Sequence, residues 1–228
     1  MTDPASASAS KRGESLADGA YGRLREWILD NEWLPGHRAL ERDLCDVLQM
    51  SRTPVREAMV RLRDEGLIDI VPRHGLVVLP VSARLMQEIY QVLSALEVAA
   101  AQAVATDPAR SDRLDELELA TQAMAAALAH DDLPAWAHAD ERFHERLVAG
   151  CGNQTLIETV ARFRDRVRRA RMMTLRLRPP PHSSTSEHRE LLDALRAGDP
   201  MRAAELHRAH RARGAAELVP ILEALAGQ

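Results

Sequence analysis

One aspartate and three histidines in the second half of the sequence have spacing that suits a metal site. Asp140 and His144 are four residues apart, so on a helix both project from the same face. His188 lies near the start of a later predicted helix and His210 in the last one. One carboxylate and three imidazoles suit zinc, nickel, iron or manganese and leave coordination positions open. The alternative is a set of unrelated polar residues, because a lone helical histidine is more often not a ligand.

A second candidate group lies in the segment SRTPVREA at residues 51–58. Arg52 and Arg56 are four residues apart and share a helix face, while Val55 and Met59 lie on the opposite one. An arginine fork at the start of a helix can pair with guanine or with a phosphate. The alternative is an ordinary solvated helix face.

A third group is the arginine-rich run over residues 162–178. Its simplest interpretation is a bundle helix with valines turned inward and arginines turned outward. Arg164 and Arg171 lie four residues after Val160 and Val167, respectively, so either could point partly inward and pair with an anionic ligand.

The first of these arginine groups lies in a predicted helix-turn-helix. Apolar residues at helical spacing predict three short helices over residues 15–64, separated by LPG at 34–36 and QMS at 49–51. Residues 66–71 and 76–80 then read as two strands of a hairpin. In such a module the second helix of the pair lies in the DNA major groove and the hairpin forms a wing.

From residue 81 onward the pattern is helical and predicts an antiparallel six-helix bundle. The predicted helices cover residues 83–106, 110–130, 133–150, 153–177, 185–197 and 200–225, with a loop at 178–185. The fold class is therefore mainly α. We expect a disordered arm over 1–14, a winged helix-turn-helix over 15–80 and a helical domain over 81–228.

Composition excludes several other classes of protein. The chain has 228 residues and a net charge of -4, which argues against binding polyanions by bulk attraction. Cys45 and Cys151 lie too far apart for a thiolate zinc motif or a disulfide framework. No apolar run of about 20 residues predicts a membrane span, and the N-terminus lacks the apolar stretch of a secretory signal. We therefore expect a cytoplasmic protein.

Residues 20–80 resemble the winged helix-turn-helix of the GntR family of bacterial transcriptional regulators. The segment LPGHRALERDLCDVLQMSRTPVREAMVRLRDEGLIDIVPRHGLVV carries the resemblance. It implies a homodimer that binds a palindromic or near-palindromic double-stranded DNA operator. The DNA-binding residues that it implies are Arg42, Ser51, Arg52, Thr53, Arg56, His74 and Gly75.

Residues 84–225 resemble the all-helical ligand-binding domain of the FadR-like branch of that family, the FCD type. The motifs DERFH at 140–144, GN at 152–153 and EHR at 187–189 carry this resemblance. It implies a divalent metal held by Asp140, His144, His188 and His210. It also favours a small carboxylate effector, for which the candidate contacts are Asn153, Arg164 and Arg171.

The sequence departs from the family pattern at two positions. Leu93 stands where the family often has an arginine, so one expected effector contact is absent. His207 lies one turn before His210 and could be a substitute ligand, a partner of a ligand or an exposed residue. We take His210 as the ligand.

These observations favour a ligand-responsive DNA-binding regulator over two alternatives. One is a constitutive DNA-binding protein whose helical domain only dimerises. The other is a metal-dependent hydrolase, which would need a general base beside the metal. Glu141 follows Asp140 directly and so points about 100° away on the helix, which leaves the hydrolase without that base.

Overall fold

The computed structural model describes residues 15–109 and 111–226. The predicted arm over 1–14 lies outside the described residues. The chain divides into two compact units between Leu79 and Pro80.

The N-terminal unit contains three helices and a small sheet. The helices are α1 (Leu16–Leu29), α2 (Glu41–Leu48) and α3 (Arg52–Asp64). The strands are β1 (Arg38–Ala39), β2 (Ile68–Val71) and β3 (Gly75–Val78), in the antiparallel order β1-β3-β2. The predicted helix-turn-helix and hairpin are confirmed. β1 was not predicted, because two residues are too few for an alternating pattern.

The apolar stripes of the three helices form the core of this unit. α1 begins at a capping box, in which the Ser15 hydroxyl accepts from the Asp18 amide at 3.0 Å. Leu24 and Ile28 of α1 pack with Val55 and Leu62 of α3, and all four are fully buried. This packing holds α3 while its arginine face stays exposed.

Gly75 permits the close pairing of β1 with β3. Its φ is +75°, a conformation that L side chains rarely adopt, and a Cβ there would lie 2.1 Å from the Ala39 carbonyl oxygen. Glycine is therefore required at this position by the backbone of the sheet itself.

The C-terminal unit is helical throughout its described residues. Its longer helices are α4 (Ala83–Thr106), α5 (Ser111–Ala129), α6 (Leu133–Ala149), α9 (His182–Ala197) and α10 (Pro200–Ala226). Between α6 and α9 lie α7 (Gln154–Ala161), α8 (Arg164–Thr174) and a 3-10 turn, Leu175–Leu177. With the winged helix-turn-helix, this confirms the mainly α fold class.

The single helix predicted over 153–177 is wrong, because the chain breaks between α7 and α8. Leu156 of α7 packs with Ala100 and Val148, whereas Val167 of α8 packs into a different apolar cluster with Leu93. Two turn residues, 162 and 163, separate the helices at this point.

The predicted loop at 178–185 is shorter than expected. α9 begins at His182, directly after the N-cap residue Pro181, so only residues 178–181 separate it from the 3-10 turn. The serines and threonine that suggested a loop instead form the first turn of α9, where such residues are well tolerated.

α4 is more apolar than the sequence analysis stated. Its 24 residues have a mean hydropathy of 1.2 over the best window, so by length and composition alone the helix could cross a membrane. Half of that window is buried inside the protein, and the helix carries Glu97 in the core. This burial explains its composition as that of a core helix.

We predict that Gly75→Ala destabilises the N-terminal unit by about 1 to 3 kcal/mol, because it adds both backbone strain and a clash with Ala39. Amide hydrogen exchange over residues 16–78 measures this. The matched control is Gly22→Ala inside α1, where an added Cβ meets no described atom within 4 Å. That change should stabilise the helix by about 0.5 to 1 kcal/mol. Equal protection of the amides of residues 16–78 from exchange in both variants would contradict the prediction.

Candidate functional site

The structure brings the four predicted metal ligands together in the core of the helical unit. Asp140 and His144 lie on one face of α6, His188 in α9 and His210 in α10. All four are buried, and one donor atom from each lies within 4.8 Å of the others. Three helices therefore direct one carboxylate and three imidazoles at a common point.

The hydrogen bonds of two of these histidines determine which ring nitrogen carries the proton. The Nδ1 atom of His188 lies 2.6 Å from the carbonyl oxygen of Ser184, which can only accept. The Nδ1 atom of His210 lies 2.8 Å from the Glu187 carboxylate, which also accepts. Both rings therefore donate from Nδ1 and present the lone pair of Nε2 to the common point.

His144 faces both of these lone pairs with a single nitrogen. Its Nε2 atom lies 3.3 Å from Nε2 of His188 and 3.3 Å from Nε2 of His210. Burial lowers the pKa of His144 and of His210 well below the ordinary value, so the rings are neutral. One N–H can satisfy only one of two lone pairs, whereas a cation satisfies all three nitrogens. The donor set therefore fits a divalent ion.

Asp140 supplies the negative charge of the group. Burial opposes its ionisation, but the guanidinium groups, Arg171 first and Arg211 farther away, outweigh burial and lower the pKa of Asp140. Its Oδ2 atom accepts from Arg171 Nη1 at 2.6 Å, while Oδ1 lies 3.5 Å from Nε2 of His188. One oxygen is thus held by the guanidinium and the other faces the histidines.

Glu97 of α4 lies behind this group and was missed by the sequence analysis. It accepts hydrogen bonds from His207 at 2.9 Å and from Nη2 of Arg211 at 2.6 Å. Burial alone would raise the pKa of Glu97, but Arg211 and His207 lower it to about 2. Its Oε2 atom lies 3.7 Å from Nδ1 of His144, in position to orient that ring. The sequence did contain a signal for this residue, because Glu97 is an acidic residue within the apolar stripe of α4, four positions after Leu93.

The two residues that depart from the family pattern, Leu93 and His207, lie in this region. His207 is buried and bonds to Glu97, so it is a partner behind the ligand group. Glu97, His144 and His207 could in principle hold a second ion, but Arg211 already occupies the Glu97 carboxylate and its charge opposes a cation there. Leu93 is buried in an apolar cluster with Val167, and it lines the larger cavity together with Arg211 of α10.

The three predicted effector contacts occupy different environments. Arg171 is buried against Asp140, next to the ligand group. Arg164 is half-exposed and pairs with Glu145 at 2.6 Å. Asn153 is exposed and caps α7 by accepting from the Leu156 amide at 3.1 Å. The structure therefore brings only Arg171 into direct contact with a predicted metal ligand.

Two cavities adjoin the ligand group. The smaller, of about 40 Å³, is lined by Asp140, His144 and His210, and also by Arg178 and Pro179. The larger, of about 300 Å³, is lined by apolar residues of α4, α6, α7 and α8 together with charged side chains, among them Arg171 and Arg211. Glu141 lines only the larger cavity, away from the side on which three of the four ligands are accessible.

The predicted DNA-binding residues lie at the start of α3, in α2 and at the tip of the hairpin. Arg52 and Arg56 are exposed, and both approach Glu41 of α2, with Arg56 Nε at 2.7 Å and Arg52 Nε at 3.9 Å. Glu41 therefore holds the two guanidinium groups on one side of α3. Glu41 was not among the predicted site residues. The other residues of this set are Arg42, Ser51, Thr53 and His74, which are exposed, and Gly75, which is half-buried.

Comparison with known families places both units. The sequence profile of the bacterial regulatory proteins of the gntR family matches residues 16–78, and that of the FCD domain matches residues 88–213.

Known relatives are similar over most of the chain. An HTH-type transcriptional regulator in the TAR-I ttuE-ttuC' intergenic region of Agrobacterium vitis is 45% identical over 151 residues, which cover 65% of this chain and 87% of the relative. The HTH-type transcriptional repressor RspR of Escherichia coli is 28% identical, covering 78% of each chain. A putative GntR transcriptional regulator from Rhodococcus sp. RHA1 superimposes with a TM-score of 0.76 at 26% identity, covering 88% of this chain and 95% of that one.

Proposed function

Because the chain belongs to the gntR family of bacterial regulatory proteins and carries an FCD domain, we propose that it is a ligand-responsive regulator whose helical unit holds a divalent metal ion. Membership of this family makes it a DNA-binding transcriptional regulator and not an enzyme. The ion and its role in sensing a small carboxylate are the new parts of the proposal.

The observation that carries the proposal is the meeting of three imidazole nitrogens within the core. Asp140, His144, His188 and His210 would hold the ion, which is zinc, nickel, iron or manganese. An ion with four protein ligands can accept further oxygen donors, which a small carboxylate supplies. Arg171 would keep Asp140 ionised and oriented while the ligand binds.

The proposed division of labour follows the two units. Residues 15–80 bind operator DNA and residues 81–228 bind the effector and form the homodimer. Two copies of the DNA-binding unit would read a palindromic operator in the cytoplasm. The effector changes operator affinity only if it binds one conformation of the helical unit better than another.

We predict one divalent ion per chain in the purified protein, measured by elemental analysis. His188→Ala and Asp140→Asn should remove it, whereas His138→Ala, at an exposed position of α6, should retain it. Chelation should lower the melting temperature, because an ion at a hundredfold excess over its Kd stabilises the native state by about 2.7 kcal/mol. A metal-free protein whose melting ignores both added ion and chelator contradicts the proposal.

For the DNA interface we predict that Arg52→Gln and Arg56→Gln each weaken operator binding by about 1 to 3 kcal/mol where the arginine contacts a base. Where it contacts a phosphate, the slope of log affinity against log salt concentration should instead fall in magnitude by about one. Titrations against the region upstream of the protein's own gene at several salt concentrations measure both effects. The matched control is Arg63→Gln, at an exposed position near the end of the same helix. Unchanged affinity in the Arg52/Arg56 double variant would refute the assignment.

Effector binding should be coupled to operator binding in both directions. We predict that an active acid from a panel of acetate, succinate and citrate changes operator affinity by about 5- to 150-fold. Linkage requires that operator DNA change the affinity for that acid by the same factor. Calorimetry of the metal-loaded protein with and without operator measures this. An acid that binds with identical affinity in both titrations is not an effector.

A further inference from the structure

Arg178 is the feature of the smaller cavity that the functions above do not use. It ends the 3-10 turn and precedes the short connection to α9. Its Nε and Nη2 atoms are buried and have no hydrogen-bond partner in the part of the chain that the structure describes. Asp140, His144 and His210 line the same cavity as Arg178.

The other arginines of this cavity have carboxylate partners. Arg171 contacts Asp140, and Arg211 contacts Glu97. Arg213 pairs with Glu187 at 2.6 Å and with Glu217 at 2.7 Å. Arg178 alone among the four lining arginines lacks such a contact to a described residue.

The two donors of Arg178 have the arrangement that a carboxylate requires. Nε–H and Nη2–H lie along one edge of the planar guanidinium, and this edge can bind both oxygens of a carboxylate at once. Burying such donors without an acceptor is unfavourable, and burial also lowers the pKa of Arg178. An anionic group entering the cavity would remove this penalty.

Charge counting indicates how many negative charges the ligand carries. The four lining arginines and the four carboxylates that line the cavity or contact those arginines cancel in formal charge. The arginines are Arg171, Arg178, Arg211 and Arg213, and the carboxylates are Asp140, Glu97, Glu187 and Glu217. A divalent ion therefore leaves two positive charges, which a dianion neutralises.

We propose that Arg178 is a second anion-binding group of the effector site and that the effector is a short dicarboxylate. One carboxylate is directed to the ion and the other to the Nε and Nη2 edge of Arg178. The cavity volume of about 40 Å³ favours a small acid, and the exposed Pro179 is among the residues that line it. This inference rests on the proposed metal site, and it names the chemical class of ligand that the site selects.

Calorimetry on the full chain saturated with Zn²⁺ tests the proposal with two acids of equal length, succinate and butyrate. The unmodified protein should bind succinate about ten- to a hundredfold more tightly, because only succinate reaches Arg178 with a second charge. Arg178→Gln should abolish this difference by weakening the binding of succinate, while the affinities for butyrate and zinc stay unchanged. Arg178→Lys should retain part of the preference, and Arg176→Gln, at an exposed position nearby, all of it.

The outcomes separate this inference from the proposed function. Equal affinities for the two acids in the zinc-loaded unmodified protein overturn the dicarboxylate assignment and leave the metal proposal standing. If Arg178→Gln loses affinity for both acids and melts at a lower temperature, Arg178 has a structural role. This result also overturns the dicarboxylate assignment. A chain that binds neither zinc nor either acid refutes the proposed function and this inference with it.

Discussion

The arrangement of the helical unit depends on three imidazole lone pairs that meet inside an apolar core. Ser184 and Glu187 fix the protons of His188 and His210 on the outer nitrogens, so the inner nitrogens can only accept. Burial keeps His144 neutral, so it cannot donate to both. A cation is the simplest way to satisfy the group. α6, α9 and α10 each contribute at least one of these donors, so the group joins three helices of the unit.

A buried ion pair between α4 and α10 lies behind this group of histidines. Glu97 of α4 and Arg211 of α10 are both buried, and removing two charges from water costs several kcal/mol per ion before their attraction is counted. An apolar pair would give comparable stability, so stability alone does not explain the pair. Its position does, because Glu97 approaches the outer nitrogen of His144 while Arg211 holds it ionised. The pair places an ionised carboxylate near His144 and joins the two longest helices of the unit.

The sequence predicted those parts of the fold and the site that local spacing determines. Helical periodicity predicted most of the helices, and the four-residue spacing of Asp140 and His144 placed both on one face. The roles of His188 and His210 required the family resemblance, because no local pattern relates residues on separate helices.

The partners between distant segments could not be predicted in this way. Glu41 reaches Arg56 across 15 positions and Glu97 reaches Arg211 across 114, so only the folded chain shows these contacts. The break at residues 162–163 was missed for a similar reason, since Leu156 and Val167 on its two sides pack into clusters whose other members come from distant segments. Arg178 belonged to a run whose simplest interpretation was a solvated stripe, and only its burial without a described partner distinguishes it from the rest.

The burial of Arg178 bears on how the proposed effector would act on the helical unit. A ligand shifts a conformational equilibrium only through differential affinity for the two states. His188 and His210 are already held by the hydrogen bonds of their Nδ1 atoms, so an acid would gain little by reorienting them. Arg178 has unsatisfied buried donors before the ligand arrives, and it sits on the four-residue connection between the 3-10 turn and α9. A second carboxylate would fix this connection against α6 and α10, which makes it the element whose conformation the bound ligand changes most.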